Sequence, residues 1–138
     1  MKTAHNQLVA KSKDIQYGSQ KNATAFYPMA YLGEPAQAVE MCVGAEYIQH
    51  NPLVGDGERA FIEYFGKMVK DYPDQGMEFV TAVAEGNLVA LYTHQTWPEN
   101  EEYVTMDFFR FDQHGKIVEH SDAIQQVPGE TKNNNPMY

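Results

Sequence analysis

The segment GKIVEHSDAIQ at residues 115–125 places a histidine and a carboxylate in a stretch that otherwise has the pattern of a β-strand. Side chains alternate between the two faces of a strand, so His120 and Asp122 share one face with Val118 and Ile124. Burial raises the pKa of a carboxyl group and a nearby protonated histidine lowers it. This combination of apolar residues, a histidine and a carboxylate on one face therefore favours a carboxylate whose pKa suits general acid/base chemistry.

A predicted hairpin brings a second carboxylate to this face. The turn DQHG at residues 112–115 predicts four facing pairs in the two strands: Phe111 and Lys116, Phe109 and Val118, Asp107 and His120, Thr105 and Asp122. Asp107, His120 and Asp122 would then form a cluster, which a one-residue bulge at the turn would break. An Asp107–His120 ion pair on a solvated face is the alternative to catalysis.

Two further histidines are candidates for the same site. His50 precedes Asn51 in YIQHNP and is equally consistent with a capping or turn residue, while the face that His94 occupies in LYTHQTW is left open by the sequence. The spacing of these residues is not typical of a metal site. Glycine-rich nucleotide motifs and a G-x-S-x-G elbow are absent from the sequence, so we expect neither metal nor organic cofactor.

Composition limits the class of protein. A chain of 138 residues fits one domain, and its formal charge of -9 would repel nucleic acid. The single cysteine, Cys42, excludes an intramolecular disulfide and is typical of a small buried hydrophobe. The first residues do not have the pattern of a secretory signal, and no apolar stretch is long enough for a bilayer, so we expect a cytoplasmic protein without membrane contact.

The first half of the chain has helical patterns. Residues 1–17 are polar and weakly periodic, which predicts a flexible arm before a domain at residues 18–128. Ser19 can cap a first helix that contains Pro28 and ends at Gly33, and a second helix begins at Glu34 and Pro35. The buried stripe of the second helix is predicted at Ala38, Val39, Met41 and Cys42. A third helix follows Asp56 or Gly57.

The second half has the period of β-strands. Gly86 and Asn87 suit a tight hairpin between two strands, and Gly115 suits the turn of another. Three helices followed by four strands predict an α+β domain with helices over the concave side of a curved antiparallel sheet. Residues 129–138 read as a polar tail.

Several stretches together resemble the SnoaL-like polyketide cyclase group of the NTF2-like superfamily. The matching pieces are Gly57 and the segments EYIQHNP at 46–52, THQT at 93–96, MDFFRF at 106–111 and GKIVEHSD at 115–122. Their order and spacing span residues 46–125. Ser121 replaces the tryptophan usual in the family, and Thr96 replaces its usual glycine.

The resemblance implies a cone-shaped α+β barrel with one apolar pocket, commonly in a homodimer. It implies that Asp122 is the general acid/base of an aldol-type ring closure without metal or organic cofactor. His50 and His94 match two histidines of the family, and Asp107 lies near a second polar catalytic position. We expect the small carbonyl substrate to contact Asn51, Thr105, Phe109 and His120.

Two classes of function are compatible with these residues. As an enzyme, the protein would use Asp122 to remove a proton alpha to a carbonyl, with His50 or His94 donating a hydrogen bond to the enolate. As a binding module, it would hold an apolar ligand or a peptide in the same pocket. A third possibility is a dimerisation surface, because Val104, Met106 and Phe108 form an apolar stripe on the opposite face of the sheet.

Overall fold

The computed structural model describes the backbone of residues 2–138 and the side chains of residues 11, 13, 14 and 18–138. The elements follow in the order α1 Lys2–Leu32, α2 Pro35–Cys42, β1 Val43–Gln49, α3 Gly57–Asp71, β2 Gly76–Glu85, β3 Leu88–Thr96, β4 Glu102–Phe111 and β5 Ile117–Gln126. A short 3-10 turn, Pro98–Asn100, connects β3 to β4. Within the described residues, no helix combines the length and apolar character needed to cross a membrane.

The first helix is longer than the sequence predicts. It begins at Lys2 and passes through Ser19, which is buried inside the helix instead of capping it. Serine and glycine weaken a helix without forbidding it, so the helix can continue through this region. Pro28 lies inside α1, and the helix ends immediately before Gly33, as predicted. Residue 1 lies outside the described residues, and the flexibility of residues 1–17 stays a prediction.

The next two helices cover the sheet with short apolar faces. In α2, Ala38, Val39 and Cys42 are buried as predicted, but Met41 is 52% exposed because it lies on the opposite side of the helix. The third helix begins at Gly57 as predicted, where the backbone φ of 83° suits a glycine. Its buried residue Phe61 fixes α3 against the core.

The sheet is mixed and contains five strands, in the order β1-β5-β4-β3-β2. Three neighbouring pairs are antiparallel, but β1 pairs with β5 in parallel. The prediction of an antiparallel sheet was wrong at this edge, because the sequence identified EYIQHNP only as extended. A parallel partner requires a long crossover, which α3 and the following strands supply. The sheet is open, with β1 and β2 at its edges, so the structure does not confirm a closed cone.

Both predicted hairpin turns are present, but the register of β4 and β5 differs from the prediction by two residues. The observed facing pairs are Thr105 and Ile124, Asp107 and Asp122, Phe109 and His120, Arg110 and Glu119, Phe111 and Ile117. One residue of the shift arises at the turn, and the second arises because Val118 forms a bulge. Two single shifts restore the side-chain parity, so Asp107, His120 and Asp122 still share a face.

This shared face, which we call the inner face, packs against the helices. Along β3, the inner residues Leu91, Thr93 and Gln95 are buried. Ile117, fully buried, faces Phe111 in the position that was predicted for Lys116, and Val118 does not form its predicted pair with Phe109. The opposite side of the sheet is called the outer face.

Side chains fill most of the space between the helices and the inner face. The ring of Phe109 lies 5.8 Å from that of Phe26 and 5.9 Å from that of Tyr27. Phe61 in turn packs 5.4 Å from Phe26. These aromatic contacts hold α1 and α3 over β4, and they fix the walls around the polar groups of the inner face.

Candidate active site

Asp107 and His120 form a buried pair in the middle of the inner face. His120 Nε2 lies 2.9 Å from Asp107 Oδ1, and the two side chains are 8% and 0% exposed. Phe109 packs on the imidazole with ring centroids 4.8 Å apart. The alternative of a solvated ion pair is therefore wrong, because the helices exclude water from both groups.

Gln49, from the end of β1, determines which ring nitrogen of His120 carries a proton. Gln49 Oε1 accepts the backbone N–H of Asn51 at 3.0 Å, which identifies this atom as the amide oxygen. The same oxygen lies 2.8 Å from His120 Nδ1, so Nδ1 must be the donor. Nε2 and Asp107 therefore share a single proton, as an imidazolium and carboxylate or as their neutral forms.

Hydrogen bonds to the second oxygen of Asp107 favour the charged form of the pair. Thr105 Oγ1 donates to Asp107 Oδ2 at 2.5 Å, and Thr93 Oγ1 lies 2.6 Å from Thr105 Oγ1. Because Thr105 donates its only hydroxyl proton to Asp107, Thr93 must donate to Thr105. This chain of donors stabilises a carboxylate at Asp107.

Gln95 continues the network towards the end of the sheet. The indole Nε1 of Trp97 can only donate, and it lies 2.8 Å from Gln95 Oε1, which fixes the orientation of the amide. Gln95 Nε2 then donates to Tyr27 Oη at 2.9 Å and to Thr93 at 3.1 Å. Burial raises the pKa of Tyr27, and the nearby Asp107 carboxylate raises it further. Tyr27 thus stays a neutral hydrogen-bonding group.

Asp122 lies at the edge of this network, half-buried. Its Oδ2 accepts the Nδ2 amide of Asn51 at 2.7 Å. Burial raises the pKa of Asp122, whereas the Asn51 hydrogen bond and the His120 charge lower it and the Asp107 carboxylate raises it. The net direction is upward, so Asp122 holds a proton more readily than an ordinary aspartate.

Two tyrosines stand near the carboxylates. Tyr47 Oη accepts a hydrogen bond from Gln49 Nε2 at 3.2 Å, and burial raises the pKa of Tyr47. On α3, burial and the charge of Asp122 raise the pKa of Tyr64. The Tyr64 hydroxyl therefore stays neutral and can donate a hydrogen bond.

The predicted site residues divide between the two faces of the sheet. The inner face brings together Asp107, His120, Asp122, Asn51, Thr105 and Phe109. In contrast, His50 is half-exposed and lies 2.9 Å from Glu119 on the outer face. His94 alternates with buried neighbours, so it also points outward, where it lies 3.0 Å from Glu102. The geometry therefore does not bring His50 or His94 together with Asp122.

Several polar residues of the network were not predicted from the sequence: Tyr27, Gln49, Tyr47, Tyr64 and Gln95. Gln95 could have been found from parity, because it alternates with the inner residues of β3. Tyr64 shares a helical stripe with Phe61 and Met68, at spacings of three and four residues. Gln49 carried no such signal, because its partner strand β5 is distant in the sequence.

Three side chains of the inner face also offer possible metal ligands. One ligand atom each from Asp107, His120 and Asp122 lies within 4.8 Å of the others. Asp107 Oδ1 and His120 Nε2 are already hydrogen-bonded to each other at 2.9 Å. A metal ion would have to replace the shared proton between them. The arrangement fits a proton-sharing network better than a preformed metal site.

An open sheet with helices on one face, and a buried histidine–carboxylate pair beneath them, defines a small α+β protein with a polar network in its core. The SnoaL-like domain family matches residues 23–120. The chain belongs to this family.

Solved structures of low sequence identity share the fold. TsrD from Streptomyces laurentii is 16% identical with a TM-score of 0.66, over 80% of this chain and 90% of that one. A proposed polyketide cyclase from Bacillus cereus is 17% identical with a TM-score of 0.67, over 78% and 74% of the two chains. IdmH, a proposed polyketide cyclase from Streptomyces antibioticus, is 16% identical with a TM-score of 0.64, over 78% and 91%. No curated protein matches the sequence significantly.

Proposed function

We propose that the protein is a cofactor-independent enzyme that moves a proton on a small carbonyl compound, in an aldol-type cyclisation or an isomerisation. The observation that carries this proposal is the half-buried Asp122, whose pKa is raised and which lies beside the Asp107–His120 pair. An aspartate whose pKa lies above the usual value is better matched to removing a weakly acidic proton. Structural relatives that are themselves proposed cyclases or isomerases support this reaction class.

Asp122 is the proposed general base. Asn51 holds its Oδ2 atom, so Oδ1 remains the oxygen that can take a proton from the substrate. The C–H bond alpha to the carbonyl breaks, the proton moves to Asp122, and the electron pair forms an enolate. The enolate carbon then attacks a second carbonyl and Asp122 gives its proton to the resulting alkoxide oxygen, or Asp122 returns the proton to a different carbon of the enolate. Both outcomes regenerate the carboxylate.

The enolate oxygen requires a hydrogen-bond donor, and we assign this role to Tyr64. His50 and His94, the donors expected from the sequence, lie on the outer face and are not proposed further. Burial and, after it, the charge of Asp122 raise the pKa of Tyr64, so its hydroxyl stays neutral and can donate. A donor aimed at the developing charge lowers the barrier most when water is excluded around it.

The buried pair positions the base. Asp107 and Gln49 bind the two ring nitrogens of His120, so neither nitrogen is free to exchange a proton with a substrate. The imidazole instead supports the ionised form of Asp122, which burial alone would disfavour. His120, Asp107 and Gln49 are therefore positioning residues.

The test is the exchange of hydrogen for deuterium at the alpha carbon of simple β-diketones and β-keto esters, followed by proton NMR in D₂O. We expect Asp122→Asn to reduce the enzyme-dependent rate by about 100- to 10,000-fold. Asp14→Asn is the matched control, because Asp14 is exposed on α1. A folded Asp122→Asn protein that retains the wild-type rate would overturn the assignment.

A non-catalytic binding module is less well supported. Such a module needs an apolar pocket, and no polar network is required near Asp122. Here Asp122 is bound by Asn51, and the polar chain continues through Gln49 to His120 and Asp107. Each buried polar group costs stability unless it is satisfied, so a network of this length favours a chemical role.

A further inference from the structure

An aromatic cleft of about 390 Å³ lies between the end of α3 and the connection from β3 to β4. The rings that line it are Tyr64, Tyr72, Trp97 and Tyr103. Tyr64, the proposed donor to the enolate, forms part of its wall. Trp97 also lines it and donates to Gln95 of the inner-face network at 2.8 Å, so the cleft lies at the end of that network, and its volume suits a small ligand.

The rings of this cleft are held in place. Trp97 packs on Tyr103 with centroids 4.2 Å apart, and its indole N–H is fixed by Gln95. The Tyr103 hydroxyl donates to Glu101 Oε2 at 2.9 Å. Rings that are already fixed lose little conformational entropy when a ligand binds, and a ring face that no other ring covers attracts a cation.

Carboxylates surround these aromatic faces. Glu99 and Glu101 line the cleft, and an adjoining cleft that shares Tyr72 and Trp97 adds Asp71 and Asp74. Lys67 pairs with Asp71, whereas the other three carboxylates form no ion pair within the described residues. The protein also has a net charge of -9. The local potential is therefore negative, and it attracts cations.

We propose that this cleft binds a small organic cation, an amine or quaternary ammonium group, through cation–π contacts with Trp97 and the tyrosines. The inference rests on the proposed function: the cationic group would anchor a carbonyl substrate whose reacting carbon lies at Asp122. Aromatic rings with nearby carboxylates form the usual recognition site for quaternary ammonium ligands.

Trp97 is the only tryptophan of the chain, so its fluorescence reports directly on the cleft. The probes are choline and its neutral isostere 3,3-dimethyl-1-butanol, in which carbon replaces the charged nitrogen. We expect choline to change the fluorescence saturably and to bind roughly tenfold more tightly than the isostere. Equal affinities, or no saturable change with choline at millimolar concentrations, would overturn the proposal.

Conservative variants test whether the charge at the cleft affects choline binding without a change in the fold. Glu99→Gln combined with Glu101→Gln should weaken choline binding severalfold, because it removes two charges from an exposed loop without changing its size. Glu40→Gln, on the exposed side of α2, is the matched control and should leave binding unchanged. Equal losses in the two proteins would contradict a charge effect at the cleft.

Asp122→Asn distinguishes this inference from the proposed function. It should abolish hydrogen exchange on carbonyl compounds but retain saturable choline binding, because Asn keeps the side-chain volume. Asp122-dependent exchange without choline binding would refute only the cation site. Choline binding by a protein that exchanges no carbonyl compound would refute the proposed function and leave the cation site standing.

Discussion

Two pairs of histidine and carboxylate occupy opposite faces of the same sheet at the same separation. His120 and Asp107 lie 2.9 Å apart on the inner face, and His50 and Glu119 lie 2.9 Å apart on the outer face. The inner side chains are 8% and 0% exposed, whereas the outer ones are 50% and 31% exposed. Because the distances are equal and the exposures differ, the two pairs show how solvent affects a histidine–carboxylate contact.

Burial changes what each pair can do. Glu119 is shared between His50 and Arg110, whose hydrogen bonds lower the pKa of Glu119, and water can replace either partner. The inner pair cannot exchange partners with water, so its fixed dipole acts on Asp122 without screening. A histidine–carboxylate contact can therefore hold a neighbouring group in position only where helices shield the contact from water.

The largest expected difference is in folding stability. Asp107→Ala leaves His120 buried without its partner and should lower the free energy of unfolding by about 3–5 kcal/mol. Glu119→Ala should lower it by less than about 1 kcal/mol, because the outer pair is solvated and screened. Urea denaturation followed by circular dichroism measures both values. Similar losses in the two variants would remove the distinction between the faces.

Much of this contrast was predictable from side-chain parity. Asp107, His120 and Asp122 were expected on one face, and the period of two preserved that grouping although the predicted pairs were displaced. The bulge at Val118 was not predictable, because it depends on how β5 fits both β4 and β1. The parallel pairing of β1 was missed for a related reason: nothing local in EYIQHNP specifies a distant parallel neighbour.

The same limit explains the misplaced histidines. His50 and His94 were assigned to the site by resemblance. Side chains alternate along β3, so His94 lies on the outer face with Tyr92, whereas Thr93 lies on the inner face. The register of β3 with β4 settles this orientation, and the loop between these strands had left it open in the sequence. The resemblance predicted the family and the α+β class correctly, but the direction of each side chain could be assigned only from the paired strands.

A smaller effect is expected from the amide that orients the inner pair. Gln49→Leu removes the acceptor of both His120 Nδ1 and the Asn51 backbone N–H, so it should cost about 1–3 kcal/mol. Gln126→Leu, at the exposed end of β5, is the matched control. Nitrogen-15 NMR of the imidazole should also report a protonated Nδ1 in the wild type. An unprotonated Nδ1 would contradict the assigned hydrogen-bond direction.

Opposite pH effects should distinguish the two faces further. Because folding raises the pKa of Asp122, its ionisation lowers the free energy of unfolding as the pH rises from the unfolded-state pKa through the folded-state pKa. Asp122→Asn should therefore stabilise the protein at pH 7 but not at pH 3. The lowered pKa of Glu119 stabilises the fold above its unfolded-state pKa, and that contribution disappears as pH falls through the folded-state value. Glu119→Gln should therefore destabilise at pH 7 and have little effect at pH 3.

Thermal unfolding of the two variants across this pH range measures both effects. Subtracting the wild-type curve at each pH cancels the titration of the unchanged carboxylates. Shifts of the same sign at pH 7 would show that the two faces do not impose opposite electrostatic environments.

The smallest effect on the fold is expected from the apolar side chains of the outer face, where we expect the predicted homodimer to form. Val104 of the predicted stripe is buried, whereas Met106 and Phe108 are 51% and 37% exposed. Met106→Glu should convert a dimer to a monomer, because burying a charge at an interface is costly, and should leave monomer stability nearly unchanged.

Met41→Glu is the matched control for this experiment, because Met41 is 52% exposed on α2, away from the sheet. Light scattering at micromolar concentration should report a dimer for the wild type and for Met41→Glu, and a monomer for Met106→Glu. A monomeric wild type would refute the homodimer. Dissociation by Met41→Glu alone would move the interface from the outer face to the helices.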